Sequence, residues 1–90
     1  MRLSVTLNDG RIITYGGRPR YVAFRLTRGG GFAINSGSSA EECVAFARNI
    51  YEARGFPAIV VDTVNAEAIA AYPYDEQNLP KGQKDVRFHE

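Results

Sequence analysis

The residues that could carry acid–base, nucleophilic or metal chemistry are few in this sequence and widely separated. The chain contains one histidine, His89, and one cysteine, Cys43. A general base must be held within hydrogen-bond reach of its target, and a penultimate residue is a poor position for that. Cys43 falls inside the apolar stripe of a predicted helix rather than at the helix start, where a thiolate would be stabilised. We therefore expect Cys43 to be a small core residue and His89 to have no catalytic role.

Metal and phosphate sites are also not indicated. A metal site needs several ligands that converge at fixed spacings, and one acidic pair in a loop, Asp75-Glu76, is not enough. The glycine run Arg28-Gly29-Gly30-Gly31 precedes a predicted strand, whereas a phosphate-binding loop opens a helix. This run is better explained as a flexible hairpin tip. The sequence predicts no enzymatic activity, no metal and no cofactor.

Arginine and tyrosine together suggest a binding surface instead. Residues 1–28 carry six arginines and one acidic residue, while residues 29–90 carry five basic and nine acidic residues. Such a charge asymmetry can orient a partner during encounter, or it can belong to opposite faces that only neutralise each other. Alternation in the first and third strands predicts a shared outer face for some of these side chains, with others at its rims. The candidate partner-binding set is Arg2, Arg18, Arg20, Tyr21, Arg25 and Arg28. Three interpretations of this face stay open: it binds a protein, it binds a nucleic acid, or it is only solvated.

The elements that must position these residues are readable from periodicity. Strands are predicted from the period-2 patterns of residues 2–7, 11–15, 21–27 and 32–35, with Phe32 and Ile34 inward. Turns at Asn8-Asp9-Gly10 and at the glycine run separate them. The apolar, β-branched run of residues 58–64 is typical of a central strand. For residues 68–72 a strand is favoured over a short alanine-rich helix capped by Asn65, since the seven residues 66–72 make a marginal helix.

One helix is predicted over about residues 39–54. Ser38 or Ser39 can cap its start, with glutamates three residues on, and Gly55 can end it in the left-handed conformation. Apolar residues recur at spacings of three and four and give one stripe. The members of that stripe are Ala40, Cys43, Val44, Ala47, Ile50 and Tyr51.

The fold class that these elements predict is α+β, in the order β-β-β-β-α-β-β. We expect an antiparallel sheet of five to six strands with the helix packed on one face and the other face partly open to solvent. Residues 1–74 would form this single domain, and residues 75–90 a polar C-terminal tail or an edge strand. The apolar runs are far shorter than the roughly 20 residues of a membrane helix, and no signal peptide is evident. A soluble cytoplasmic protein of undetermined oligomeric state is expected, and open edge strands would allow a dimer.

The stretch from Arg20 to Tyr72 resembles the layout of several small phage-encoded anti-CRISPR proteins: strand, glycine hairpin, strand, serine-started helix, Gly-Phe-Pro, apolar strand, short strand and proline. Such proteins are of similar size, have no enzymatic motifs, and block a Cas complex by occupying a partner or nucleic-acid surface. The resemblance implies an inhibitor encoded by a phage or mobile element that acts in the host cytoplasm, with a protein complex such as a Cas effector as its partner.

A second resemblance is to HicB-type antitoxins. Tyr21-Val22-Ala23-Phe24, the segment from Gly30 to Ile34 and the Glu-Glu-started helix look like the strand-strand-helix unit of that family. Our leading hypothesis is a non-enzymatic protein-binding module, an inhibitor of the anti-CRISPR kind. The alternative is a small RNA- or DNA-binding domain or a HicB-like antitoxin.

Overall fold

The computed structural model describes residues 2–17, 19–81 and 86–89, and for residues 87–89 it describes the backbone alone. The strands in this part are β1 (Arg2–Thr6), β2 (Ile12–Gly16), β3 (Tyr21–Thr27), β4 (Gly30–Gly37), β5 (Ala58–Asp62), β6 (Glu67–Tyr72) and β7 (Val86–His89), and the α-helix α1 (Ala40–Arg54) lies between β4 and β5. The predicted order β-β-β-β-α-β-β is therefore confirmed as far as β6. Residues 67–72 form the strand that was favoured over a short helix.

The strands form two antiparallel sheets instead of the predicted one. Their orders are β2-β1-β7 and β4-β3-β5-β6 in the described residues. The α+β class and the antiparallel pairing are confirmed, but the single sheet of five to six strands is corrected. β5 explains the difference, because each of its five residues is buried and a strand is buried throughout only when both faces of its sheet are covered. The helix covers one face of the four-stranded sheet and the three-stranded sheet covers the other.

The larger core lies between the two sheets. Alternate residues of β3, namely Val22, Phe24 and Leu26, point into it together with Leu3 and Val5 of β1. The ring of Tyr15 meets that of Phe24 edge to face, with the ring centroids 6.2 Å apart. The remaining buried members of this core are Leu7, Ile13, Ile59, Val61, Ala71 and Val86.

The second core lies between α1 and the four-stranded sheet and consists mostly of small residues. Ser39 caps the helix, since its hydroxyl oxygen accepts a hydrogen bond from the Glu42 backbone N–H at 3.3 Å. Gly55 ends the helix with a left-handed φ of 72°, so both predicted caps are confirmed. The small residues let the helix lie close to the sheet. They are Ala23, Cys43, Ala47, Ala58 and Val60.

The Arg11 side chain joins three segments that are distant in the sequence. Its Nε donates to Asp9 at 2.7 Å, one Nη donates to the Thr27 carbonyl at 3.2 Å, and the other to the Asn78 side chain at 2.8 Å. These contacts attach the β1–β2 turn to the β3–β4 hairpin and to the segment before β7. The prediction of an inter-strand turn at residues 8–10 identified the location, but the sequence pattern did not single out Arg11.

Gly30 at the start of β4 lies so close to β2 that a side chain does not fit. Its φ is +144°, and an added Cβ would overlap the Ile12 carbonyl oxygen. We expect Gly30→Ala to lower the free energy of unfolding by about 2 kcal/mol, because the alanine strains the backbone and pushes β2 and β4 apart. Urea denaturation measures this change. Gly29→Ala is the matched control, since nothing lies within 4 Å of its added Cβ. Equal losses in the two variants would contradict the close approach of β2 to β4.

Candidate functional site

The predicted outer face of arginines and tyrosine does not exist as one surface. Tyr21 and Arg25 lie on the face of β3 that also carries Ala23, and α1 packs on this face. Arg2 is exposed on β1, whose Leu3 and Val5 point into the core between the sheets. Arg2 is therefore separated from Tyr21 and Arg25 by both sheets. The predicted shared face is corrected because it took Tyr21 and Arg25 to lie on an open side of the sheet, whereas α1 covers their side and the second sheet covers the Phe24 side.

The other predicted residues are dispersed. The Arg20 guanidinium lies 3.6 Å from the Asp62 carboxylate and 5.1 Å from the centre of the Tyr21 ring. Tyr21 is partly buried against the helix-side core. Arg28 is exposed in the β3–β4 hairpin, and Arg18 lies outside the described residues. The set thus contributes one residue, Arg25, to a surface with exposed aromatic side chains.

Arg25 is held between two phenylalanine rings. Its Cζ lies 3.5 Å from the centre of the Phe56 ring and 5.5 Å from that of Phe32. Phe32 is the direct partner of Arg25 in the β3–β4 register, and Phe56 follows the glycine that ends α1. A guanidinium plane stacks favourably on an aromatic face. The prediction that Phe32 points inward is corrected, because 48% of this residue is exposed.

The flank of α1 that faces β4 is apolar and uncovered. The Tyr51 ring lies 6.4 Å from that of Tyr72 on β6, so Tyr51 marks the β6 side of the helix. Phe46 is five residues earlier, about 140° around the helix at roughly 100° per residue, and so lies on the β4 side. Phe46 is 47% exposed, and beside it an open hollow of about 300 Å³ is lined by Phe46, Asn49 and Ile50.

The helix flank and the stacked arginine lie on the same side of the four-stranded sheet. Ile50 of α1 and Ile34 of β4 pack against the same helix-side core, and Phe32 lies two residues before Ile34 on the same side of β4. Phe46, Ile50 and Phe32 therefore all lie on the helix side of the four-stranded sheet. We call this surface the α1–β4 flank. It consists of Arg25, Phe32, Phe46, Asn49 and Ile50.

The flank presents aromatic and apolar side chains together with one guanidinium. Within residues 2–17, 19–81 and 86–89, no cluster of three or more His, Cys, Asp or Glu side chains is placed to hold a metal ion. Nor does the described part of the chain include a helix with the length and apolarity needed to cross a membrane. Aromatic rings around an arginine are the composition that protein interfaces favour at their centres.

Cys43 lies under the helix, away from the flank. It is 1% exposed, and its thiol lies 3.8 Å from the Tyr21 carbonyl oxygen, to which it donates. Burial, and to a smaller extent the nearby Glu42 carboxylate, raises the pKa of the Cys43 thiol. The unfolded chain therefore loses this proton at a lower pH than the folded chain does.

We expect stability to fall as pH rises above about 8.5, the pKa of an unfolded-state thiol. This contribution is fully present below that pH and is lost towards the higher folded-state pKa. Unfolding in urea at pH 7.5 and pH 10 measures it, and Cys43→Ala should show a smaller loss between the two pH values. The same loss in both proteins would contradict a role of the Cys43 thiol in the pH dependence.

Comparison with known proteins identifies no relative: no family model matches the chain, and no significantly similar curated protein or solved structure is found. Phe46 and Phe56 were missed by sequence reasoning, although an aromatic residue just outside the helix stripe was a usable signal. The stack of Phe56 on Arg25 joins residues 31 positions apart in the chain and had no such signal.

Proposed function

We propose that this protein is a non-enzymatic binding module that contacts a partner protein through the α1–β4 flank. The observation that carries the proposal is that Phe32 and Phe46, 48% and 47% exposed, lie on the same side of the four-stranded sheet as Arg25. Leaving large apolar side chains in water is unfavourable by about 25 cal/mol per Å² of apolar surface. A partner that covers both rings would recover that free energy.

A protein fits this surface better than nucleic acid does. The flank contains one cation, Arg25, and the exposed charges of α1 are mixed, with Glu41, Glu42 and Glu52 together with Arg48 and Arg54. Binding to a phosphate backbone relies on several cations that track the strand. Tyr21, which was the predicted stacking residue for a base, is partly buried beside the helix. The nucleic-acid alternative would therefore need a different surface.

The narrower proposal is an inhibitor of a host complex, encoded by a phage or mobile element. Its support is the resemblance in element order to anti-CRISPR proteins, together with the exposed aromatic flank. A small protein that blocks a larger complex needs a rigid surface with a few strong contacts. The two covered faces of the four-stranded sheet supply that rigidity to β4 and α1.

The proposal is tested by retention of a partner that depends on the flank. Tagged protein is immobilised, lysate of its source cell or likely host is passed over it with and without nuclease, and retained proteins are quantified. Phe46→Ala should lose the partner, and the purified partner should then bind the unmodified protein directly with a defined stoichiometry. Ile12→Ala is the matched control, because Ile12 is 55% exposed on the other sheet.

Two results would count against a protein partner at this flank. Retention that survives Phe46→Ala but is lost in Ile12→Ala would place the contact on the three-stranded sheet. Retained material that disappears with nuclease would indicate nucleic acid, and a steep fall of binding with salt would support that result.

A further inference from the structure

Arg25 lies beside two aromatic rings, but its Nε–H has no acceptor in the part of the chain that the structure describes. Its Nε is buried and has no hydrogen-bond partner among the described residues. Arg11 and Arg20 differ in this respect, since carboxylates lie 2.7 Å and 3.6 Å from their guanidinium groups. In the part of the chain that the structure describes, no salt bridge of this kind involves Arg25.

An unsatisfied guanidinium at an apolar surface is an unusual arrangement. Buried polar groups are hydrogen-bonded in the great majority of cases, and a charged donor without an acceptor is more unfavourable than a neutral one. Stacking on Phe56 orients the guanidinium. Its Nε is buried, so a partner would reach the two Nη groups, which are not among the buried donors. Two Nη groups match the two oxygens of a carboxylate, which they can bind in a bidentate way.

We propose that the partner presents a carboxylate, from Asp or Glu, to Arg25, next to an apolar side chain that enters the hollow beside Phe46. The inference rests on the proposed function and specifies the chemistry of the partner. A single cation beside Phe32 and Phe56 suits a single carboxylate on a mostly apolar segment. A polyanion would gain little from one cation.

The stack also makes this contact strong for its size. Because Phe56 already orders the guanidinium at 3.5 Å, binding would immobilise the arginine with a smaller loss of side-chain entropy. The apolar surroundings exclude water, and charge pairs that are fully desolvated can contribute substantially to affinity. Loss of the carboxylate should therefore weaken binding at least about tenfold.

The test uses a random dodecapeptide library displayed on phage as the probe and the purified protein as bait. Peptides that bind the unmodified protein and fail to bind Phe46→Ala are selected, and their affinities are measured by fluorescence polarisation. We expect Asp or Glu next to an aromatic or aliphatic residue in the selected peptides. Changing that acid to its amide should weaken binding at least about tenfold to the unmodified protein and about twofold or less to Arg25→Gln.

Control variants separate the charge of Arg25 from its geometry and from folding. Arg25→Lys keeps the charge but loses the planar guanidinium. Peptide binding to this variant should therefore show at most part of the dependence on the acid that the unmodified protein shows. Circular dichroism melting reports whether Arg25→Gln folds. If Arg25→Gln does not fold, Phe56→Leu is measured in its place. Removing the stacked ring should weaken the dependence of binding on the peptide's acid without removing the cation.

The outcomes distinguish this inference from the proposed function. Selected peptides that depend on Phe46 but contain no acid, or whose acid-to-amide change weakens binding equally in both proteins, overturn the carboxylate inference and leave the binding module standing. A selection that yields no peptide dependent on Phe46 counts against both proposals.

Discussion

Phe24→Ala is expected to lower the free energy of unfolding by about 3–5 kcal/mol. Phe24 is 0% exposed and lies between the two sheets, where its ring meets Tyr15 edge to face. Its removal leaves a cavity that close-packed strands on both sides cannot fill. Because domains of this size are stable by about 5–15 kcal/mol, the variant should unfold at a much lower urea concentration or fail to fold at 25 °C.

Phe46→Ala is the matched control for this prediction, since it removes the same side chain from the α1–β4 flank. Phe46 is 47% exposed, so its truncation should lower the free energy of unfolding by about 1 kcal/mol or less. Phe24→Ala should thus affect folding, and Phe46→Ala should affect partner binding. Equal losses of stability in the two variants would contradict the second sheet as the cover of the Phe24 face.

Local signals in the sequence predicted the local elements well. Ser39, the glutamates that follow it and Gly55 define the ends of α1 because capping depends on neighbouring residues only. The alternation in β3 correctly separated Val22, Phe24 and Leu26 from Tyr21, Ala23 and Arg25. Each of these features depends on residues that are close together in the chain.

What lies on each face of the sheet was not predictable in the same way. Tyr21 and Arg25 looked like solvent-facing residues, but both are only partly exposed, because Tyr21 packs against the helix-side core and Arg25 lies on the Phe56 ring. The signal for two covered faces was present in β5, where Ala58, Ile59, Val60 and Val61 show no polar alternation. That run was correctly assigned to a central strand, but the second cover that it requires was not inferred.

Of the five residues of the α1–β4 flank, only Arg25 was predicted from the sequence to be a binding residue. Arg25 was selected for its charge and its place on β3, whereas its stacking on Phe56 depends on how the chain returns after α1. Phe46 was overlooked because the apolar stripe was drawn through Cys43 and Ala47. A residue at the edge of that stripe can be buried or exposed, and the width of the sheet beneath the helix decides which.

Asp62→Ala is expected to lower the free energy of unfolding by about 2–3 kcal/mol. One carboxylate oxygen of Asp62 accepts hydrogen bonds from the Val64 and Asn65 backbone N–H groups at 3.0 and 3.3 Å. The other accepts from the Asn65 side-chain amide at 3.0 Å and lies near Arg20. Since Asp62 is 3% exposed, its removal would leave these donors without their partner at the start of the β5–β6 turn.

Two further variants identify which of these contacts matters. Asp62→Asn keeps an oxygen that can accept from both backbone N–H groups, so it should lose about half as much stability as Asp62→Ala. Arg20→Ala should change the free energy of unfolding by about 1 kcal/mol or less, because the Arg20 side chain is 49% exposed and the ion pair is weakened by solvent. Faster amide exchange at Val64 and Asn65 should accompany the loss in Asp62→Ala. If Arg20→Ala were as damaging as Asp62→Ala, the ion pair rather than the turn would be the stabilising contact, since only the ion pair is absent from both variants.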